Sequence, residues 1–197
     1  MVEYIESTGT QYIDTGLTME KTDTTRFEIY AHLVNNNSWC GVNAYMQYQA
    51  NLGGGQKGLY EVLYDGGTHK ETVLFNGVNK YNKDWSGYAG DNNKVVIIGM
   101  GNKDNVLWTG GEPQSGKWYY VKFYKNGNLL RDYVPCVRNS DGVAGLYDKV
   151  ENKFYTNSGT GSFGSGAATG DAVEEYQRVE YIENSGTQYI NTGYYWT

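Results

Sequence analysis

Apolar and polar residues alternate along most of this chain with a period of two, the pattern of strands that bury one face. In RFEIYAHLV, residues 26–34, Phe27, Ile29, Ala31 and Leu33 fall on one face and Arg26, Glu28, Tyr30 and His32 on the other. Further strands are predicted over 58–64, 71–75 and 118–124, and VVIIG at 95–99 is a continuous apolar run suited to a sheet interior. Between them lie Asp65-Gly66, Asn76-Gly77, Asn126-Gly127 and Asp141-Gly142, dipeptides that tolerate the positive φ of tight hairpin turns. Two hairpins follow. One pairs 119–124 with 129–134 around Asn126-Gly127, with Pro135 closing the second strand. The other pairs 145–148 with 153–157 around the loop 149–152. No segment sustains a period of 3.6 with caps, so helix should be close to absent. The pattern predicts an all-β, antiparallel, two-sheet sandwich.

A second pattern overlies the first. VEYIESTGTQYIDTG, from Val2 to Gly16, returns as VEYIENSGTQYINTG, from Val179 to Gly193, with changes at Ser7, Thr8 and Asp14, which become Asn184, Ser185 and Asn191. An offset of 179 − 2 = 177 residues is a domain length, so the repeat marks tandem modules rather than a solenoid. The first domain is expected over 1–164. GSGAATGDAVEE, from Gly164, is small, polar and without aromatic residues, and 165–177 read as a flexible linker. Residues 178–197 then form the first strand segment of a second copy. Either each copy needs this opening to close its own sandwich, or Val179 to Gly193 can exchange with the matching strand of a neighbouring molecule.

Composition narrows the function classes. The formal net charge of −6, without clusters of Lys and Arg, argues against nucleic acid and against anionic membrane as ligand. No stretch approaches the ~18 apolar residues of a spanning helix. MVEYIES lacks the basic and then apolar order of a signal peptide; either Met1 opens an excised segment or export takes another route. Cys40 and Cys136 lack zinc-site spacing and fit two buried thiols or one bridge. The 20 tyrosines suit pleated strands, and they also suit surfaces that grip sugars or proteins.

Three strings, YIESTGTQYIDTG near the start, RDYVPCVRNSDGVAGLYD over 131–148 and NKFYTNSGTGSF over 152–163, resemble the LamG-like, concanavalin A-like jelly-roll modules of gut bacterial surface proteins and phage structural proteins. The resemblance covers both ends of the first domain. It implies a jelly-roll sandwich that often binds glycans, sometimes carries calcium, and works outside the cell, on a bacterial surface or a virion.

Such jelly rolls include glycoside hydrolases, whose retaining members need two carboxylates about 5–5.5 Å apart. The familiar Glu-x-Asp-x-Glu and Glu-x-Asp-x-x-Glu strings are absent, and the nearest pair is Glu61 with Asp65, which runs into a turn. His32 and His69 are expected to be exposed and offer no nucleophile a base. No catalytic residue is assigned. No metal ligand is assigned either, although the oxygen-rich loops 90–94 and 101–105 leave calcium open.

A glycan site would pair an aromatic platform with amide or carboxylate groups. The stretch 79–93 offers Tyr81, Asp84, Trp85, Tyr88, Asp91 and Asn92, and a third loop, 105–114, offers Trp108; the stretch 35–49 offers Asn36, Asn37, Trp39, Asn43, Tyr45 and Gln47. The first is the expected site, because polar residues flank Trp85 whereas Trp39 and Trp118 adjoin apolar strand residues. Trp85 either presents its ring to a ligand or covers its loop against the sandwich. The function expected is non-catalytic recognition or adhesion, with an architectural spacer that binds nothing as the alternative and a hydrolase after it.

Overall fold

The computed structural model describes residues 1–34, 40–42, 46–47, 55–87, 93–99 and 113–170. Among these the chain has no helix, and its strands in order are β1 (Ile5–Thr8), β2 (Ile13–Met19), β3 (Thr25–Leu33), β4 (Cys40–Val42), β5 (Met46–Gln47), β6 (Gln56–Asp65), β7 (Lys70–Phe75), β8 (Val78–Asp84), β9 (Asn93–Ile97), β10 (Ser115–Lys125), β11 (Asn128–Val137), β12 (Ala144–Asp148), β13 (Lys153–Tyr155) and β14 (Gly164–Ser165). They form two antiparallel sheets. The larger runs β13-β12-β11-β10-β3-β6-β7-β8, with β1 beside β10 and β14 beside β1; the smaller runs β2-β9-β4-β5.

One core lies between the sheets. The larger sheet contributes Phe27, Ile29, Ala31, Val62, Tyr64, Val73, Trp118, Val121, Phe123 and Leu146; the smaller contributes Ile13, Met19, Val95 and Ile97. The alternation expected of 26–34 holds residue by residue: Phe27, Ile29, Ala31 and Leu33 are buried, and Arg26, Glu28, Tyr30 and His32 are half-buried on the opposite face. Removing such side chains from water is the main favourable term in folding, about 1.5–3 kcal/mol for each large apolar one.

The turns follow their chemistry. Asn76-Gly77 (φ 49° and 76°) and Asn126-Gly127 (φ 50° and 81°) have both central residues at positive φ, as a tight hairpin matched to strand twist requires. Asp65-Gly66 works differently. Its turn runs on to His69, and the Asp65 carboxylate accepts from the Gly67 N–H (2.8 Å) and the Thr68 hydroxyl (2.8 Å), which holds its pKa below the usual range. Gly66 is needed for close approach, since a Cβ there would lie 2.2 Å from the Thr22 carbonyl oxygen.

Three expectations are corrected. Pro135 does not close its strand: β11 continues to Val137, with Pro135 opposite Leu146. In a strand, N–H and C=O of one residue point to the same side, and the Pro135 carbonyl accepts from the Val2 N–H, so the missing donor faces away from β12. The linker read from residue 165 is instead paired as far as Thr169, through Gly166 N–H to the Tyr4 carbonyl, Glu3 N–H to the Ala167 carbonyl and Thr169 N–H to the Met1 carbonyl. Finally, both histidines are half-buried rather than exposed, and a ring nitrogen of His69 meets the Tyr64 hydroxyl at 3.1 Å.

The repeated opening string crosses from one sheet to the other. Ile5 and Ile13 are fully buried in the shared core. Between them the Gln11 amide oxygen accepts from the Ser7 hydroxyl (3.1 Å) and the Thr8 N–H (2.8 Å), while its nitrogen donates to the Ser162 carbonyl (3.2 Å). Thr15 donates to the Val95 carbonyl at 2.6 Å. The string therefore carries the contacts that join the two sheets and the end of the domain. Its copy at Val179 to Gly193 lies outside the described residues.

Candidate functional site

Of the residues expected to form a site, Tyr81, Asp84 and Trp85 are described, and they do not form a platform. Trp85 is 3 % exposed and belongs to the core. Its indole N–H donates to the Glu71 carboxylate at 2.9 Å, and its backbone N–H to the His69 carbonyl at 2.8 Å. The polar residues around it in sequence face outward on β8, and the ring turns inward because buried Glu71 satisfies its polar edge. Tyr81 is partly buried against the same core, opposite Val73. Asp84 is exposed, and its carboxylate, held by the Ser86 side chain and then by the Ser86 N–H (2.8 Å), titrates below its usual range. Tyr88, Asp91, Asn92 and Trp108 lie outside the described residues, as do residues 35–39, 43–45, 90–92 and 101–105 of the other candidate loops. Trp118 is fully buried, as expected. Cys136 is a buried free thiol, pushed up in pKa by burial.

The aromatic surface lies elsewhere, on the outer face of the larger sheet. It comes from the polar positions of β3, β6 and β10 and from the residue preceding β1. Strand β10 pairs with β3 along nearly its whole length, with a bulge between Trp118 and Tyr120. On its other edge β10 pairs with β1 up to Trp118 and with β11 from Val121, so the bulge falls where the partner changes. A bulge adds one residue to one strand and re-aims side chains. Here Trp118 and Val121 both point into the core, and Tyr119 and Tyr120 are left together outside.

The result is a continuous cluster of rings. Tyr30 lies 5.8 Å from Tyr120, stacked at 24°, and 5.3 Å from Tyr119; Tyr119 meets Tyr4 edge-on at 5.7 Å. The ammonium of Lys57 sits 3.9 Å from the centre of the Tyr119 ring and 5.4 Å from that of Tyr30. Lys117 lies 4.4 Å over Tyr4 and donates to its hydroxyl at 3.1 Å, a bond that raises the lysine pKa. Burial, then the nearby Glu28 carboxylate, raises the pKa of Tyr120.

Along β3 the face turns from aromatic to charged. Glu28 is directly opposite Glu61 on β6, and Arg26 bridges both carboxylates at 2.7 Å each. Arg26 also lies 5.6 Å from the centre of the Tyr124 ring. Beyond it opens a cavity of about 710 Å³ lined by Arg26, Leu63, Asp65, Thr68, Thr72 and Tyr124, among others. Arg26 and Tyr30 are four residues apart on one strand, about 13 Å at ~3.3 Å per residue. The face thus joins a ring platform to a pocket whose mostly apolar lining also carries hydroxyl and charged groups. Rings stack on the C–H faces of sugars and directional groups meet their hydroxyls. The linear spacing of Glu61 and Asp65 concealed the pairing of Glu28 with Glu61, which exists through strand register. Among the described residues no three His, Cys, Asp or Glu side chains gather as metal ligands would.

The fold defines an antiparallel all-β sandwich. No protein-family model and no curated protein matches this chain. Among solved structures it is similar to one described as a "putative carbohydrate binding protein" from Bacteroides ovatus ATCC 8483, with a TM-score of 0.54 and 14% identity over 85% of this chain and 60% of that one. The chain therefore spans about 60% of that protein's length, and the likeness is one of fold.

Proposed function

We propose that this chain is a concanavalin A-like, LamG-like jelly-roll module that binds glycans without catalysis, as one unit of a tandem array in an extracellular surface or virion protein. The observation that carries the reading is the group of four tyrosines, Tyr4, Tyr30, Tyr119 and Tyr120, held on one sheet face beside a pocket. Ring pairs such as Tyr30 with Tyr120 also stabilise the sheet across strands, and a sugar ligand would use the same ring faces. The likeness in fold to a protein with a carbohydrate-binding description supports the same reading. Binding rather than hydrolysis is favoured because both Glu28 and Glu61 are engaged by Arg26, and the Asp65 carboxylate is engaged by its own turn.

The spacer reading draws on Trp85 and Trp118, both buried. A glycan array probed with the full chain separates the two. Binding to a defined set of glycans, lost in Tyr30→Ala with the melting temperature kept, supports the module. Failure to bind any glycan leaves the spacer.

A further inference from the structure

The chain is acidic overall, with a formal net charge of −6, yet the tyrosine cluster is rimmed by ammonium groups. Lys57 lies against Tyr119 and Tyr30, Lys117 against Tyr4, and Lys122 against Tyr120 at 6.0 Å. Among the described residues none of the three lies in an ion pair, whereas Arg26, Lys125, Arg131, Arg138 and Lys149 all do. The carboxylates of the same face are committed elsewhere: Glu28 and Glu61 hold Arg26, and Asp132, opposite Lys122, pairs with Lys149. Glu6, opposite Lys117, stays beyond ion-pair distance but adds to the local field. Three cations laid on ring faces outside any ion pair among the described residues, with Glu6, Glu28 and Asp132 nearby, form a surface where ammonium groups and stacking rings lie side by side.

The geometry points to an acidic glycan as the ligand of this face, an oligosaccharide whose carboxylate or sulfate groups meet Lys57 and Lys117 while its sugar rings stack on Tyr30 and Tyr119. This rests on the glycan-binding reading and narrows it to a substrate class. An uncharged sugar uses the rings and gives the lysines no anion; an acidic one uses both. The strand distance from Tyr30 to Arg26, about 13 Å, leaves room for several sugar units, so one chain can touch the platform and the pocket.

The test measures binding of the full chain to three probes: a neutral xylo-oligosaccharide, an oligogalacturonate that carries only carboxylates, and a heparin-derived oligosaccharide that carries sulfates as well. Preference for one or both acidic probes, weakened as salt is raised, is expected, and the pair of acidic arms tells carboxylate from sulfate. Lys57→Gln and Lys117→Gln should each weaken acidic binding about two- to fivefold, and the double variant about tenfold, with unchanged melting temperature. Equal affinity for neutral and acidic probes, insensitive to salt and to both variants, overturns the inference and leaves glycan binding standing. Binding to none of the probes, nor to any neutral glycan on the array, overturns the glycan reading itself.

Discussion

Replacing Trp85 separates a core residue from a ligand platform. The side chain is 3 % exposed, packs in the main core, and makes one hydrogen bond to buried Glu71. Truncation to Ala removes the whole ring, and such core changes cost about 3–5 kcal/mol. For a domain of this size each kcal/mol moves the melting temperature by about 2–4 °C, so Trp85→Ala should melt roughly 6–20 °C lower. Trp85→Phe keeps most of the packing but deprives the Glu71 carboxylate of the indole donor, at about 1–3 kcal/mol. Circular dichroism against temperature reads both values, and glycan binding measured well below the melting transition reads function. Both variants should bind as the parent does while they remain folded. Unchanged melting together with lost binding would refute the reasoning, because it would place the ring on the surface.

Two further outcomes follow from backbone and burial. Gly66→Ala forces a Cβ to within 2.2 Å of the Thr22 carbonyl oxygen and should destabilise by more than Gly127→Ala, where φ is 81° but nothing lies within 4 Å and about 1–2 kcal/mol of left-handed strain is the whole cost; urea unfolding of the two variants checks the order. Burial, then the hydrogen bond to Glu151, pushes the Tyr155 hydroxyl up to about 12, above its ordinary value of 10.0. Its stability contribution is therefore full below pH 10 and is lost as pH rises through 12, so an alkaline titration followed at 295 nm should show late tyrosine ionisation that coincides with unfolding.

How much of this was legible in the sequence depends on the range of the interactions. The alternation in β3 and the Asn-Gly turns are local and could be read directly, because side-chain period and backbone φ are set within a few residues. The bulge left a trace too: in WYYVKFY the inward residues Trp118 and Val121 are three apart, which breaks the period of two and predicts paired outward tyrosines. The partners of those tyrosines were not legible, since Tyr30, Lys57 and Tyr4 reach them only through the register of β3 with β6 and β10 and of β1 with β10. The two readings of Trp85 stayed open for the same reason. Its polar neighbours are local, but Glu71, fourteen residues earlier, decides where the ring goes. The small residues after Gly164 read as linker because composition does not register backbone pairing. Gly166 is small because a Cβ there would meet the Tyr4 ring at 2.8 Å.

Ligand is expected on the outer face of the larger sheet. The most direct measurement is a titration of the isotope-labelled full chain with the strongest glycan from the array, followed by backbone amide chemical shifts. The changes should centre on residues 26–32, 57–61 and 117–124, with Trp85 unmoved. Changes confined to 79–92 and around Trp108, with none on that face, would contradict it.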